Sequence, residues 1–210
     1  MMTVSVLSLS AYGSDEIAVA FEIGDGEHTQ IERLVISTVQ CADLRLRAGD
    51  ADERLYDEVL YASQMHTALK QGMAMLSFGG CSEKALLRKL IAKGNTSEAA
   101  EEAVAELVRL GYMDPFSDAQ REAERGVVKL WGRLRITASL REKGYSDESV
   151  RVALAHLRDS GVDYPENCAL LIRRRWGEVP SEPDDRRKMV AALMRYGYTT
   201  DEIRAACRLI

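Results

Sequence analysis

The chain has 210 residues, of which 46% are hydrophobic and 29% are charged, a composition typical of a globular protein. Its formal net charge is −5, which argues against a protein that holds bulk nucleic acid, because such domains are usually strongly basic. The charge is uneven: residues 1–80 contain 5 basic and 12 acidic residues, whereas residues 81–210 contain 23 and 21. A local basic face in the second part of the chain is compatible with the acidic total.

The four cysteines are far apart in the sequence and form no CxxC pair. Isolated thiols of this kind are typical of a reducing cytosol and argue against a disulfide framework or a zinc site. No apolar run near residue 1 has the shape of a signal peptide, and no stretch approaches the ~20 apolar residues of a membrane span. We therefore expect a cytoplasmic protein with no membrane segment, no metal and no other cofactor.

Residues 1–50 are predicted to form a small N-terminal antiparallel β element. Apolar and polar residues alternate over residues 16–23, as they do along a strand with one buried face. A Gly-Asp-Gly turn follows at residues 24–26, and residues 33–37 are predicted to form the next strand. We expect two or three strands that end near residue 49 and form an accessory element.

Residues 51–80 are predicted to form a long linking helix. From Asp52 onward apolar residues recur at spacings of three and four, the pattern of an amphipathic helix, up to the glycine pair Gly79-Gly80. Three methionines lie in this stretch, and we interpret them as core residues because methionine readily fills irregular gaps.

The remaining sequence repeats one helix–turn–helix motif three times at intervals of about fifty residues. In each copy an apolar stripe ends at a glycine suited to a left-handed helix end, and a hydroxyl residue two positions later can cap the next helix. The glycines and hydroxyl residues are Gly94 with Thr96, Gly144 with Ser146, and Gly197 with Thr199. Pro115 and Pro165 are placed to begin a third helix in the first two copies.

A unit of this size cannot bury its apolar stripes alone, so neighbouring units must stack. The sequence therefore predicts a mainly α fold in which tandem three-helix repeats form an elongated, curved array. The predicted repeats cover residues 81–132, 133–182 and 183–210, the last truncated after its second helix. Such an array can act as a monomer.

Five segments of the repeat region occur in a distinctive order: SEKALLRKLIAKG at 82–94, LGYMD at 110–114, GRLRI at 132–136, LREKG at 140–144 and RYGYTTDEI at 195–203. In this order they resemble the RecX family of bacterial regulatory proteins, over about residues 60–210. The chain departs from the family at Pro115, where a second acidic residue is common, and at Phe78-Gly79-Gly80-Cys81, where the family is usually basic.

The resemblance implies that the chain binds the RecA recombinase in the groove of its filament on single-stranded DNA. It implies modulation, most simply inhibition, of the filament's ATPase, strand exchange and growth, in recombination, DNA repair and the SOS response. It also implies no enzymatic activity, and the sequence itself contains no HExxH, GxxxxGK[ST] or GxGxxG motif. Two alternatives stay open: a helical-repeat protein that binds nucleic acid without RecA, and a general protein-interaction adaptor.

The candidate contact residues for RecA or for weak direct DNA binding are cations. On a helix predicted over 115–131, three of them repeat every four residues opposite the apolar face, and two follow directly. Another lies in a run of three arginines, opposite Ile172 and Trp176. The candidates are Arg121, Arg125, Lys129, Arg133, Arg135 and Arg174. The alternative interpretation is a solvated surface, and for Trp131 and Trp176 it is core packing rather than stacking on a base.

If the row on the predicted helix is a contact surface, replacing Arg121, Arg125 and Lys129 together by alanine is expected to weaken filament binding with little loss of stability. Co-sedimentation with the RecA–DNA filament measures this. Unchanged binding by a folded triple variant would remove that face from consideration.

Overall fold

The structure is a computed structural model that describes residues 3–24 and 28–210. The central and last residues of the predicted turn, Asp25 and Gly26, lie outside the described residues. The chain divides into two compact units: Met1–Gly79 with Leu86–Met113, and Gly80–Ala85 with Asp114–Ile210.

An antiparallel sheet with strand order β3-β2-β1-β4 opens the first compact unit. Its strands are β1 (Thr3–Ala11), β2 (Glu16–Gly24), β3 (Thr29–Ser37) and β4 (Gly49–Ala51). The expectation of two or three strands is corrected to four among the described residues, because Gly49–Ala51 pairs with β1. A strand of three residues carries too little alternation to be read from sequence.

Helix α1 (Thr38–Asp43) lies between β3 and β4, and helix α2 (Glu53–Leu76) follows β4. Helix α2 starts where the sequence predicted, since the Asp52 side chain accepts a hydrogen bond from the Leu55 backbone N–H over 2.8 Å. Its first half packs against the sheet, and Val59 is fully buried there. The long helix expected over residues 51–80 thus spans Glu53–Leu76, with an apolar stripe that completes the core under the sheet.

Eight more helices complete the described chain, and their ends match the predicted glycine turns and caps. The glycines at the three repeated turns have φ of +94°, +88° and +91°, and the three hydroxyl caps each accept a backbone N–H. The helices are α3 (Glu83–Ala92), α4 (Ser97–Arg109), α5 (Pro115–Val128), α6 (Arg133–Glu142), α7 (Asp147–Asp159), α8 (Tyr164–Trp176), α9 (Pro183–Arg195) and α10 (Thr200–Ala206).

The helices form three groups, and in each group the first and the last helix pack against each other. Helix α2 packs against α4, α5 packs against α6 and α7, and α10 packs against α8 and α9. The groups α2–α4, α5–α7 and α8–α10 are offset by one helix from the repeats predicted at 81–132, 133–182 and 183–210. The helix that the sequence analysis placed last in one repeat stands first in the next group, and the last group has three helices rather than two. The repeat period is the same for both ways of grouping the helices, so periodicity alone does not show where one group ends and the next begins.

Within the second compact unit, the turn between α5 and α6 lies directly against the turn between α9 and α10. The Gly132 N–H donates to the Tyr196 carbonyl oxygen over 2.8 Å, and the Leu134 N–H donates to the Gly197 carbonyl oxygen over 3.1 Å. A Cβ on Gly132 would lie 2.3 Å from the carbonyl carbon of Gly197, and a Cβ on Gly197 would lie 2.3 Å from the Arg135 nitrogen. Only glycines permit this approach of the two backbones.

A buried tyrosine ties the same two turns together. The Tyr198 hydroxyl donates a 2.8 Å hydrogen bond to the Leu130 carbonyl oxygen, and Leu130 itself has a left-handed φ of +55°. Such a φ is unfavourable for a leucine, so the docking of the tyrosine helps to hold it. Burial also raises the pKa of Tyr198 well above its usual value, which keeps the hydroxyl protonated as a donor.

Replacing Gly197 by alanine is expected to destabilise the chain more than replacing Gly161, which serves as a matched control. Both glycines have a left-handed φ, +91° and +76°, so each alanine costs about 1–2 kcal/mol from backbone strain. A Cβ at Gly161 meets nothing within 4 Å, whereas one at Gly197 meets the backbone of α6, which adds about 1–3 kcal/mol. Denaturant unfolding followed by circular dichroism measures the difference, and equal losses would contradict the docking of the turns.

Candidate functional site

Aromatic rings and cations alternate beside the docked turns. The Trp131 ring has the Lys129 Nζ 4.9 Å and the Arg135 Cζ 4.4 Å from its centroid. The Arg135 Cζ is also 5.3 Å from the centroid of Tyr196, and the Arg175 Cζ is 5.6 Å from it. Trp131 and Tyr196 therefore each have two cations within the range of a cation–π interaction.

The row ends at Trp176, whose ring centroid is 5.5 Å from the Arg175 Cζ. We call the six residues the cation–aromatic ladder: Lys129, Trp131, Arg135, Tyr196, Arg175 and Trp176. They come from the α5–α6 turn, the start of α6, the end of α8 and the end of α9. Residues far apart in sequence thus form one continuous surface.

The three rings of the ladder pack against the hydrophobic cores of two helix groups, which holds them in place. Trp131 packs against the core of the α5–α7 group, and Trp176 and Tyr196 pack against the core of the α8–α10 group. All three rings are only half-buried, and Lys129 and Arg175 are exposed. For the two tryptophans, core packing and stacking on a base were alternative interpretations. The structure shows the packing, and it leaves part of each ring accessible.

The cations of the ladder have no carboxylate partner among the described residues. None of the ion pairs within 4.0 Å in that part of the chain involves Lys129, Arg135 or Arg175. Their positive charge is therefore available to an external anion. Exposed ring faces beside such cations suit a phosphate backbone with unstacked bases, and the cations alone suit an acidic protein surface.

Two of the predicted contact residues, Arg121 and Arg125, are exposed but already paired within α5. Arg121 forms an ion pair with Asp118, whose side chain is only 7% exposed. Arg125 lies 3.2 Å from the Glu122 carboxylate, which also pairs with Lys143. Burial raises the pKa of Glu122, but these two cations lower it more, and the net pKa is below its usual value. Both cations are thereby partly neutralised by carboxylates of their own helix.

The other four predicted residues lie in three places. Lys129 and Arg135 belong to the ladder, while Arg133 lies on the opposite side of α6 and lines a groove. Arg174 is exposed on α8, and Ile172 is buried as expected.

Arg175 and Tyr196 were not among the predicted contact residues. Arg175 was part of the noted arginine run, and it lies next to Trp176 in the sequence, which was the available signal. Its second ring, Tyr196, comes from another helix, and its hydroxyl accepts a 3.4 Å hydrogen bond from the Arg175 Nη1. No spacing in the sequence brings these two residues together.

Two further properties limit the chemistry of the described residues. They contain no group of three or more His, Cys, Asp or Glu side chains placed to hold a metal ion. None of their helices is long and apolar enough to cross a membrane. The described cysteines form no disulfide, and burial raises the pKa of Cys168 to about 12, so this thiol is a weak nucleophile at neutral pH.

Comparison with known proteins gives consistent matches. A family model described as the third three-helix domain of RecX matches residues 163–207, which contain α8, α9 and α10. The regulatory protein RecX of Stenotrophomonas maltophilia (strain R551-3) is 33% identical over 143 residues, 68% of this chain and 86% of its own. That of Xanthomonas axonopodis pv. citri is 35% identical over the same shares.

Two solved structures share the fold. A crystal structure of regulatory protein RecX matches with a TM-score of 0.74 and 18% identity, covering 97% of this chain and 98% of its own. The crystal structure of RecX from Lactobacillus salivarius matches with a TM-score of 0.60 and 19% identity, covering 71% and 99%.

The fold defines a helical-repeat protein in which a small antiparallel sheet precedes three groups of three helices. The relatives from Stenotrophomonas and Xanthomonas are named as regulatory proteins. The chain belongs to the RecX family, as its identity to these relatives over more than two thirds of its length shows.

Replacing Arg121 by alanine is expected to destabilise the chain more than replacing Arg125, one turn away on α5. Without Arg121 the buried Asp118 carboxylate loses its partner, at about 1–3 kcal/mol. Without Arg125, Glu122 keeps Lys143, so the loss is less than about 0.5 kcal/mol. Guanidinium unfolding of the two variants tests this. Equal small losses would mean that the Asp118 pair contributes nothing, as the sequence analysis assumed for the triple variant.

Proposed function

We propose that this chain regulates the RecA recombinase without being an enzyme itself. It binds the RecA filament on single-stranded DNA and restrains its ATPase, strand exchange and growth, and so acts in recombination, DNA repair and the SOS response. Membership of the RecX family supports a regulatory role, and the observation that carries the contact hypothesis is the cation–aromatic ladder.

The ladder suits a filament of protein and single-stranded DNA because it combines two kinds of recognition. Its unpaired cations attract phosphates or acidic side chains, and its half-exposed rings can contact a base or an apolar side chain. A single ladder gives modest affinity. Helix groups linked in one chain can engage several filament subunits at once, so weak contacts add through effective concentration.

The test is the steady-state ATPase of RecA on single-stranded DNA, titrated with this protein from substoichiometric to equimolar ratios. The wild-type chain is expected to suppress the ATPase. The double variant Lys129→Ala/Arg175→Ala removes two exposed cations of the ladder. About tenfold more of this variant is expected to be needed for the same suppression of the ATPase, because each lost contact is worth roughly 0.5–1 kcal/mol.

The matched control is Arg187→Ala/Lys188→Ala, which removes two exposed cations of α9 that have their own aspartate partners. It should suppress the ATPase as the wild type does. No suppression by the folded wild-type chain at any ratio would contradict the proposal. Equal loss in both double variants would mean that general positive charge, rather than the ladder, is recognised.

Direct binding of nucleic acid without RecA is a second candidate, and the same ladder favours it. Its signature is affinity for free single-stranded DNA that falls steeply with salt concentration. A DNA-binding control beside the ATPase titration distinguishes the two candidates. Suppression of the ATPase with weak affinity for free DNA supports the filament regulator.

A further inference from the structure

A second basic surface of the second compact unit is a groove of about 600 Å³. Its volume falls in the range of about 300–1,000 Å³ that is typical of ligand pockets. The apolar part of its lining includes Val150, Leu154 and Val162, which are buried or half-buried, together with the half-buried Tyr164. The groove therefore offers an aliphatic floor that can take a large apolar side chain.

Four exposed arginines surround this floor, from helices α6 and α7. They are Arg133, Arg141, Arg151 and Arg158. Three of them pair with the carboxylates of Asp147, Glu148 and Asp159 at 3.0–3.4 Å, and both partners are more than half exposed in each pair. Exposed pairs of this kind contribute little, so the arginines can exchange these partners for an incoming carboxylate at small cost.

The lining favours a peptide over a nucleic acid. Two carboxylates, Asp147 and Glu202, also line the groove, and they can accept hydrogen bonds from the backbone N–H groups of a peptide, which a sugar–phosphate backbone lacks. The aliphatic floor has one ring, Tyr164, and so lacks the row of stacking surfaces that single-stranded nucleic acids use. Stacking surfaces of that kind lie on the ladder, which is formed by other residues.

We propose that this groove binds an acidic peptide segment of a protein partner, with an apolar side chain of the segment on the floor and its carboxylates paired to the surrounding arginines. The four arginines provide positive charge that complements the carboxylates of the peptide, and the aliphatic floor provides the site for its apolar side chain. This goes beyond the regulation proposed above and does not depend on RecA or DNA.

Fluorescence anisotropy of a labelled short peptide tests the proposal on the full chain. The probe contains Asp and Glu residues with one leucine and one phenylalanine, and a second probe has serine in place of these two. The double variant Arg151→Glu/Arg158→Glu is expected to bind the first probe at least about tenfold more weakly than the wild type. The control Arg187→Glu/Arg204→Glu reverses two equally exposed arginines outside the groove and is expected to bind as the wild type does.

The serine probe is expected to bind more weakly than the apolar probe, because it leaves the floor empty. Equal binding of the two probes, or equal loss in both double variants, would overturn the proposal, since charge alone would then explain the binding. Labelled oligothymidine tests the remaining possibility, that the groove binds nucleic acid. If Arg151→Glu/Arg158→Glu abolishes oligothymidine binding while the wild type does not bind the peptide, the groove is a nucleic-acid site and the proposal is wrong.

Discussion

The contact of two backbones at Gly132 and Gly197 is the constraint on which the second compact unit depends. Each glycine lies where a Cβ would meet the other turn at 2.3 Å, and the hydrogen bonds between the turns leave little freedom of position. Trp131 precedes one glycine and Tyr196 precedes the other. The same contact that joins the α5–α7 and α8–α10 groups therefore places two rings of the ladder, with Arg135 between them.

A related contact occurs about fifty residues earlier in the repeat, with different chemistry. The Ser82 hydroxyl donates a 2.5 Å hydrogen bond to the Lys143 carbonyl oxygen, and a Cβ on Gly144 would meet the Lys84 side chain at 3.0 Å. Ser82 corresponds to Gly132 in the repeat, and Gly144 to Gly197. A side-chain hydroxyl thus makes the contact at one turn that the backbone alone makes at the other.

The residue after each repeated glycine shows where docking takes place. At the two docked turns it is a tyrosine: Tyr198 is buried, and burial raises the pKa of Tyr145 to about 12. In the first copy it is Asn95, whose amide instead donates to Gln71 of α2 over 2.8 Å. At Gly94 a Cβ would meet nothing within 4 Å. The repeated sequence is therefore similar in all three copies, but only two of them carry a tyrosine after the glycine.

The sequence predicted what depends on neighbours along the chain and failed where distant residues meet. Helix ends, glycine turns and hydroxyl caps follow from local rules, and all three caps were confirmed. The fourth strand, the phase of the helix groups and the pairing of Arg175 with Tyr196 depend on long-range contacts that no period encodes. The ion pair of Arg121 with Asp118 was within reach, because residues three apart on a helix are neighbours.

The two tryptophans of the chain, Trp131 and Trp176, both belong to the ladder, which allows one direct measurement. If both are replaced by 7-azatryptophan, they can be excited at wavelengths where the tryptophans of a partner absorb little. On addition of the RecA–single-stranded DNA filament, we expect a shift in their emission and reduced quenching by acrylamide, because the exposed ring faces become covered. Binding of the labelled chain, verified by co-sedimentation, with unchanged emission and unchanged quenching would contradict it.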